Sequence, residues 1–313
     1  MVLSLWAVVL LSLFAVALAQ GVRQKMAVFH RLEDRQKLRA LTEICIKKAV
    51  QTYRTVGERG IITPKDRFIF LNALSSGTVS SPDGDARYEI SDENRRIHLS
   101  VAKPEVLKAL FQNIANLDEE PAERLAYAIV DWRDPDDFVS QVYEGGSEKD
   151  AYRKEHLSYE PKNSNFETLS ELLFVKGITR EIYNSVENYI TIYGSSYLNI
   201  NTADKNTLVA AGLDPALADK VLAFRQGQDG KLGTGDDGFF ARPEAIEEDL
   251  GAVYPLSSQE INNLRHTMYF QPMTTVSDCY RMVAHAVLRG SKSKSRTVCV
   301  FCQGAGIRYW NES

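Results

Sequence analysis

The residues best suited to bind a metal ion lie in a loop rich in glycine and aspartate. The loop carries three carboxylates and one threonine close together in sequence, at Asp229, Thr234, Asp236 and Asp237. Calcium takes about six to eight oxygen ligands, which the carboxylates and backbone carbonyls of such a loop can supply. The loop lacks the EF-hand spacing, so the prediction of a structural calcium site rests on ligand chemistry. The alternative is a solvated turn.

A second group of carboxylates follows a predicted helix, at Asp131, Asp134, Asp136 and Asp137. Paired carboxylates can hold a metal or perform acid–base chemistry. No partner nucleophile or histidine accompanies them, because the five histidines are scattered singly along the chain. The favoured interpretation is a loop that terminates the helix and packs Trp132 inward. We therefore predict that the chain is not an enzyme.

The four cysteines are too few for a disulfide-stapled scaffold. Cys299 and Cys302 have the spacing of a redox or zinc motif, but no second pair of ligands follows them to complete a tetrahedral zinc site. Buried strand cysteines, or a disulfide between neighbouring strands through Cys279, are the favoured interpretations.

One helical segment resembles the helix-hairpin-helix modules of DNA-uptake and repair proteins, through Leu198–Ala203 and Ala218–Arg225. In those modules a Gly-apolar-Gly hairpin presents backbone N–H groups to a phosphate. Here Gly212 is followed by Asp214, whose carboxylate would repel a phosphate, and by Pro215, which has no N–H. The net charge of -4 provides no general attraction to nucleic acid. We predict that the module keeps its fold without binding DNA.

The N-terminal segment Val2–Ala19 contains no charged residue. A helix of about 18 residues spans roughly 27 Å, which is close to the hydrocarbon thickness of a bilayer. We therefore predict a transmembrane helix over residues 1–20. The alternative is a cleaved signal peptide, because Ala17–Ala19 resembles a cleavage site. Whether a basic leader precedes Met1 stays open.

The apolar segment continues into a stretch with a helical period. Val22–Val56 contains no glycine or proline, and its apolar residues recur mostly three or four positions apart. We predict one long helix that is amphipathic over residues 21–57 and ends near Gly57.

The remaining sequence predicts strands on both sides of a helical section. Strands are expected over residues 58–100 and 265–313, with helical units over 101–196 and 197–264. This order indicates an α+β body interrupted by a helical insertion. The individual strand predictions are Arg67–Leu71, a hairpin of Tyr88–Ile90 with Arg96–Leu99, a second hairpin of Cys279–Val287 with Arg296–Phe301, and Gly306–Trp310.

Motifs in the middle of the chain follow one another in the order of a known family. They are Ile129–Asp136, Pro161–Asn163, Leu169–Leu172, Val175–Thr179, Tyr189–Gly194, Asn199–Ala203 and Asp229–Phe240. These residues resemble the general secretion pathway protein K family, the large minor pseudopilin of type II secretion systems. The resemblance implies a pilin-like long N-terminal helix on an antiparallel sheet, with an inserted all-α, SAM-like and helix-hairpin-helix domain.

The same resemblance implies a function and partners. Such a protein sits at the tip of the periplasmic pseudopilus, helps initiate its assembly, and binds the minor pseudopilins lettered I and J. The implied location is the bacterial inner membrane, with one pass and the bulk of the chain in the periplasm. The expected partner-binding residues of the long helix are Phe29, Leu32, Leu38, Leu41 and Cys45. The alternative function is a helix-hairpin-helix protein for DNA binding or uptake at the cell envelope.

Overall fold

A long helix opens the chain and continues without a break through the predicted apolar and amphipathic segments. The computed structural model describes residues 2–58, 65, 75–140, 146–154, 156–291 and 293–313. Helix α1 runs over Val2–Glu58, which confirms the prediction of one continuous helix that ends near Gly57. The strand predicted at Arg67–Leu71 lies outside the described residues.

A five-stranded antiparallel sheet forms the body of the fold. The strands of the described part of the chain are β1 (Ser76–Ser80), β2 (Gly84–Asp92), β3 (Ile97–His98), β4 (Ile190–Thr191), β5 (Leu198–Asn199), β6 (Met273–Thr274), β7 (Cys279–Leu288), β8 (Lys294–Cys302) and β9 (Gly306–Glu312). The sheet has the spatial order β1-β2-β7-β8-β9. Two short parallel pairs, β3 with β4 and β5 with β6, lie outside this sheet.

The second half of α1 packs on one face of this sheet. Its buried side chains lie three or four residues apart, as one helix face requires, and include Leu38, Leu41 and Cys45. Alternate residues of β2, such as Tyr88 and Ile90, meet them from the sheet. A helix on one face of an antiparallel sheet is the pilin-like arrangement predicted from the family resemblance.

The predicted hairpin of Tyr88–Ile90 with Arg96–Leu99 is wrong. Strand β2 pairs with β1 and β7, whereas Ile97–His98 forms the parallel pair with β4. The turn between them therefore carries the chain out of the sheet and into the helical insertion.

The C-terminal strand predictions are confirmed. Strands β7 and β8 form a hairpin and β9 adds the edge strand. Cys279 and Cys302 stand opposite each other and form a disulfide, as one of the two favoured interpretations expected. The other cysteines, Cys45 and Cys299, are buried, and burial raises the pKa of each thiol to about 11. Both environments disfavour the thiolate that redox and zinc chemistry require.

The insertion consists of helices divided between two hydrophobic cores. Leu107, Phe111 and Ile129 belong to the first core, and Leu217 and Phe240 to the second. The described helices are α2 (Pro104–Ile114), α3 (Glu119–Arg133), α4 (Glu148–Lys154), α5 (Arg180–Val186), α6 (Lys205–Ala210), α7 (Pro215–Gln226), α8 (Ile246–Val253) and α9 (Ser258–Phe270), with 3-10 turns at Leu169–Phe174 and Pro243–Ala245. Helix α9 continues past residue 264, where the sequence predicted the end of the second helical unit.

Candidate functional site

The carboxylates of the glycine-rich loop are held by the loop itself. Asp236 accepts hydrogen bonds from the backbone N–H groups of Gln228 (2.7 Å) and Asp229 (3.1 Å) and from the hydroxyl of Thr234 (2.7 Å). Asp237 accepts from the N–H of Gly233 (2.7 Å) and from the same hydroxyl (3.0 Å). The Thr234 hydroxyl and these N–H groups hold the pKa of Asp236 below its usual value.

In this conformation the loop does not gather a ligand set for calcium. Each of Asp229, Asp236 and Asp237 accepts a hydrogen bond from a backbone N–H of the loop. Within the described residues, their oxygens do not form a group close enough to share one ion. Calcium binding at this loop stays a prediction.

A different set of carboxylates does converge, at the junction of two helices of the first core. Ligand atoms of Asp131, Asp134 and Glu148 all lie within 4.8 Å of one another. Asp131 is in the last turn of α3, Asp134 caps that helix, and Glu148 opens α4. Among the residues that the structure describes, this is the only such group of potential metal ligands.

Proline and aromatic packing position this group. Pro135 prevents α3 from continuing and holds Asp134 in an extended conformation, with φ -79° and ψ 159°. Trp132 is buried and its ring lies near those of Tyr152 and Phe166. The predicted helix-terminating loop with an inward Trp132 is therefore confirmed.

Short contacts bring α4 back to the end of α3. The N–H of Ser140 donates to the Asp131 carboxylate (2.9 Å), and the Ser147 hydroxyl donates to the Asp137 carboxylate (3.0 Å). The backbone N–H of Glu148 donates to the Asp137 carbonyl (3.3 Å).

The carboxylate of Glu148 is enclosed without a hydrogen-bond donor. Glu148 is 1% exposed, and neither of its side-chain oxygens accepts a hydrogen bond from a donor group within the described residues. Burial, followed by the nearby charges of Asp131 and Asp134, raises the pKa of Glu148 to about 8. Burial also raises the pKa of Asp131 and of Asp134. Carboxylates this close cannot all be ionised unless a cation neutralises them, so the group takes up either a proton or a metal ion.

A further polar atom without a partner lies beside the same loop. Asn163 adopts a positive φ of 50°, its amide N–H donates to the Asp136 carbonyl, and its side-chain oxygen is buried without a partner. The sequence pointed to Asp131, Asp134 and Asp136 but not to Glu148. No local spacing connects Glu148 to Asp131, because only the fold brings the start of α4 to the end of α3.

The five predicted partner-binding residues of α1 fall into two classes. Leu38, Leu41 and Cys45 are buried in the protein's own core, so they cannot bind a partner helix, and that part of the prediction is wrong. The helical period correctly predicts that these three residues share one face of α1, but the sheet of the same chain covers that face. Phe29 and Leu32 are 63% and 56% exposed and stay predicted partner-binding residues.

Exposed apolar side chains extend along α1 towards the N-terminus. They are Trp6, Val9, Leu10, Leu11, Leu13, Phe14, Val16, Leu18, Val22, Met26, Val28, Phe29 and Leu32, and they are called the exposed α1 surface below. An apolar surface this extended indicates contact with lipid or with other proteins.

The described residues contain no helix that is both long enough and apolar enough to cross a bilayer. The membrane span predicted over residues 1–20 includes Met1 and the side chains at positions 2–5, 7 and 8, which lie outside the described part of the chain.

The hairpin of the DNA-binding alternative is closed by a neighbouring helix. Asn263 of α9 accepts from the backbone N–H of Asp214 (2.7 Å) and donates to the Gly212 carbonyl (3.1 Å). Thr267 also donates to the Gly212 carbonyl (2.9 Å). The Asp214 carboxylate accepts from the N–H groups at the start of α7. The groups that would meet a phosphate are thus already hydrogen-bonded within the protein.

Comparison with known proteins agrees with the motifs. Residues 71–195 match the family model of the first domain of type II secretion system protein K. Type II secretion system protein K of Pseudomonas aeruginosa (strain PAO1) is 26% identical over 229 residues, which cover 69% of this chain and 64% of that protein. Its counterpart from Pectobacterium carotovorum subsp. carotovorum is 28% identical over 97 residues, covering 31% of this chain and 28% of that protein. The chain thus spans less than two thirds of the length of these relatives.

A solved structure extends the likeness over nearly the whole chain. It is a chain of the GspK-GspI-GspJ complex from the type 2 secretion system of enterotoxigenic Escherichia coli. The TM-score is 0.64, the identity is 13%, and the match covers 91% of this chain and 96% of that one. At this identity the match establishes a shared fold. Together, the comparisons show that the chain is similar in sequence to type II secretion system protein K, with residues 71–195 matching its first domain, and that it shares the fold of the solved chain.

Proposed function

We propose that this chain is a minor pseudopilin of a type II secretion system, with an architectural and not a catalytic role. The observation that carries the proposal is the division of α1 into two parts. From Leu38 onward one face of the helix packs on the protein's own sheet, whereas the large apolar side chains described from Trp6 to Leu32 are exposed. A helix whose second part packs on its own domain and whose first part is exposed is suited to pack side by side with similar helices of other subunits.

The proposed partners are the minor pseudopilins of types I and J. Support comes from the similar solved chain, which was crystallised in the GspK-GspI-GspJ complex. In the proposed assembly, Phe29 and Leu32 pack against partner helices, and the helical insertion is too bulky for further subunits to add beyond it. The chain therefore occupies the tip of the pseudopilus and helps initiate its assembly.

The proposed location is the inner membrane, with α1 as a single-pass anchor and the rest of the chain in the periplasm. The uncharged segment Val2–Ala19 supports the anchor. The disulfide between Cys279 and Cys302 supports the periplasm, because disulfides form and persist in oxidising compartments.

Co-purification with the partners tests the assembly proposal. The full chain is expressed in membranes with the I- and J-type proteins encoded beside it. A Phe29→Ala/Leu32→Ala variant should recover about tenfold less partner, which corresponds to a loss of about 1.4 kcal/mol for the two side chains together. The matched control is Val253→Ala, which truncates a similarly exposed side chain of α8. Equal recovery by both variants would reject the helix interface, and no recovery by the wild-type chain would reject the partners.

We also propose that a structural calcium ion is bound by Asp131, Asp134 and Glu148. The support is the buried carboxylate of Glu148, which accepts no hydrogen bond from a donor group within the described residues and lies beside two other carboxylates. Oxygen ligands of this charge suit a hard divalent cation, and the backbone carbonyls and water that complete such a shell are the usual further ligands. The ion would fasten the start of α4 to the end of α3.

Thermal unfolding with calcium or with chelator tests both candidate calcium sites. Calcium should raise the melting temperature of the wild-type chain, and Glu148→Gln should abolish that rise. The loop variant Asp236→Ala/Asp237→Ala should retain it if the ion binds at Glu148, and should lose it if the glycine-rich loop is the site. A melting temperature that calcium leaves unchanged would reject both sites.

A further inference from the structure

The helical insertion is joined to the sheet by two neighbouring crossings of the chain. The chain leaves the sheet after Asp92, at the end of β2, and returns at Cys279, at the start of β7. The two crossings are bonded directly, since the N–H of Glu93 donates to the Cys279 carbonyl (2.9 Å). The residues Asp92, Glu93 and Asn94 are called the junction turn below. Any rotation of the insertion relative to the sheet would have to change the bonds at this turn.

Glu93 connects the sheet to the first helical unit. Its side chain is fully buried and accepts two hydrogen bonds from the guanidinium of Arg281 on β7, at 2.7 and 3.0 Å. It also accepts from Arg96 (2.9 Å), next to β3, and from the hydroxyl of Thr191 (2.7 Å), on β4. Arg96 in turn donates to the Asn188 carbonyl (3.0 Å). One carboxylate thus joins β7 to the β3–β4 pair.

Asp92 connects the sheet to the second helical unit. Its carboxylate is buried and accepts from the amide of Asn199 (3.0 Å) and from the hydroxyls of Thr202 and Ser277. Asn199 and Thr202 open the second helical unit, and Ser277 lies on the returning crossing. The backbone N–H of Asn94 satisfies the other oxygen at 2.8 Å.

Asn94 connects the segment between the two helical units to both crossings. Its amide donates to the Ser195 hydroxyl (2.6 Å), and its backbone carbonyl accepts from the N–H of Asn199 (2.8 Å). The Ser195 N–H also donates to the carboxylate of Asp278 (3.3 Å), on the returning crossing. Three consecutive side chains therefore bond to the sheet, to both helical units and to the segment between those units.

Apolar contact between the sheet and the insertion is small by comparison. Within the described residues, the hydrophobic cluster at this boundary consists of Cys279, Val300 and Cys302, with Tyr193 and Tyr309 packed against it. Apolar contacts depend little on direction, whereas hydrogen bonds weaken steeply when their angle changes. The directional contacts across this boundary are concentrated at the junction turn.

We propose that the junction turn is a rigid coupling that fixes the orientation of the helical insertion on the pilin-like sheet, with Glu93 as its principal positioning residue. This inference deepens the proposed function, because an insertion that ends a pseudopilus must be held at one angle to the body that joins the filament. The coupling itself is a property of the isolated chain.

The distance between two spin labels tests the coupling without any partner. Labels on cysteines introduced at Arg87, on β2, and Glu120, on α3, report the angle between sheet and insertion. Both positions are exposed, and the natural free cysteines are buried. The wild-type chain should give one narrow distance distribution. Glu93→Gln, which keeps the size of the side chain but removes the charge shared by Arg96 and Arg281, should broaden or shift it.

The matched control is Asp85→Asn, which neutralises a carboxylate paired with Arg289 on the exposed side of the same sheet. It should leave the distribution unchanged. Thr191→Val removes the hydrogen bond to Glu93 and the one that the Thr191 hydroxyl accepts from the N–H of Tyr193 (3.0 Å), at nearly constant volume. It decides the outcome if Glu93→Gln does not fold, and it should also broaden the distribution. A distribution as narrow as wild type in a folded Glu93→Gln chain, or in Thr191→Val when Glu93→Gln is unfolded, would overturn the proposal. Either result leaves the pseudopilin proposal to be judged by co-purification.

Discussion

Two buried carboxylates of this chain are treated in opposite ways by their surroundings. Glu93 lies between two arginines, whereas Glu148 lies between two aspartates. Burial acts to raise the pKa of both groups, but Arg96 and Arg281 keep the pKa of Glu93 below its ordinary value of 4.5. The two arginines therefore keep the Glu93 carboxylate charged at neutral pH. The Glu148 carboxylate, in contrast, is stable in its buried position only when it binds a proton or a cation.

The lowered pKa of Glu93 predicts a specific loss of stability in acid. A group whose pKa falls on folding contributes stability that is fully present above its unfolded pKa. That contribution is lost as the pH falls through the folded pKa, which leaves two arginines buried without their shared acceptor. Between about pH 5 and about pH 3 the melting temperature of the wild-type chain should fall more steeply than that of Glu93→Gln. The raised pKa of Asp92 is common to both chains and cancels. Parallel curves would contradict the assignment.

The carboxylates that converge at Glu148 predict that removing the negative charge of Glu148 stabilises the chain when no cation is bound. In chelator at pH 8, Glu148→Gln should raise the melting temperature by about 1.5 °C, the shift expected for about 1 kcal/mol in a chain of 313 residues. The amide keeps the volume and removes one of the converging negative charges. Asp150→Asn, on the exposed side of the same helix, serves as the control. A lower melting temperature for Glu148→Gln in chelator would mean that its carboxylate is already stabilised.

At the scale of elements, α1 performs two tasks along one continuous helix. Leu41 is buried against the sheet, whereas Leu32 is exposed on the same helix. Leu41→Ala should lower the free energy of unfolding by about 2–5 kcal/mol, because it removes buried apolar atoms and leaves a cavity. Leu32→Ala should change it by no more than about 0.5 kcal/mol. Denaturant unfolding of the two variants measures the difference. Equal costs would contradict the division of α1 into a packed and a free part.

The elements that the sequence predicted well are those with a long, uniform period. The apolar and amphipathic parts of α1 join without a helix-breaking residue. Strand β7 alternates in burial over most of its length, β8 ends in a continuous buried run, and a serine- and lysine-rich turn separates the two strands. The hairpin predicted around the junction turn is wrong because the turn-like composition is a local feature of the sequence. The observed pairs, β2 with β7 and β3 with β4, join strands that are far apart along the chain. Glu93 bonds to Arg281, 188 positions away. Glu148 was missed for the same reason.

The predicted partner-binding residues show a second limit of what a helical period in the sequence can predict. The spacing of Leu38, Leu41 and Cys45 correctly predicted an apolar helix face, but a sequence pattern does not tell which surface will cover that face. Here the sheet of the same chain covers it, and the apolar face available to partners lies nearer the N-terminus. In the glycine-rich loop, likewise, composition predicted close carboxylates, but their backbone hydrogen bonds follow from the folded turn.

At the scale of the whole molecule, the part proposed to form the filament is distinct from the helical insertion. The proposed filament-forming part consists of α1 and the antiparallel sheet, and the insertion is mounted on the same sheet through the junction turn. The helix-hairpin-helix segment of the insertion has its hairpin closed by α9. The backbone groups of Gly212 and Asp214 are thus already hydrogen-bonded within the protein and are not open to a phosphate. A gel-shift assay at low salt should therefore show no tight binding of DNA.

Site-specific photo-crosslinking in secreting cells tests the central claim most directly. A photoreactive amino acid placed at Phe29 or Leu32 should crosslink the chain to I- and J-type pseudopilins, whereas the same group at Val253, on the insertion, should not. These positions have similar exposure, so access to the reagent does not explain a difference. Crosslinks at positions 29 and 32 alone would support a minor pseudopilin that assembles through the exposed α1 surface. Their absence, in cells whose secretion depends on this chain, would contradict the account.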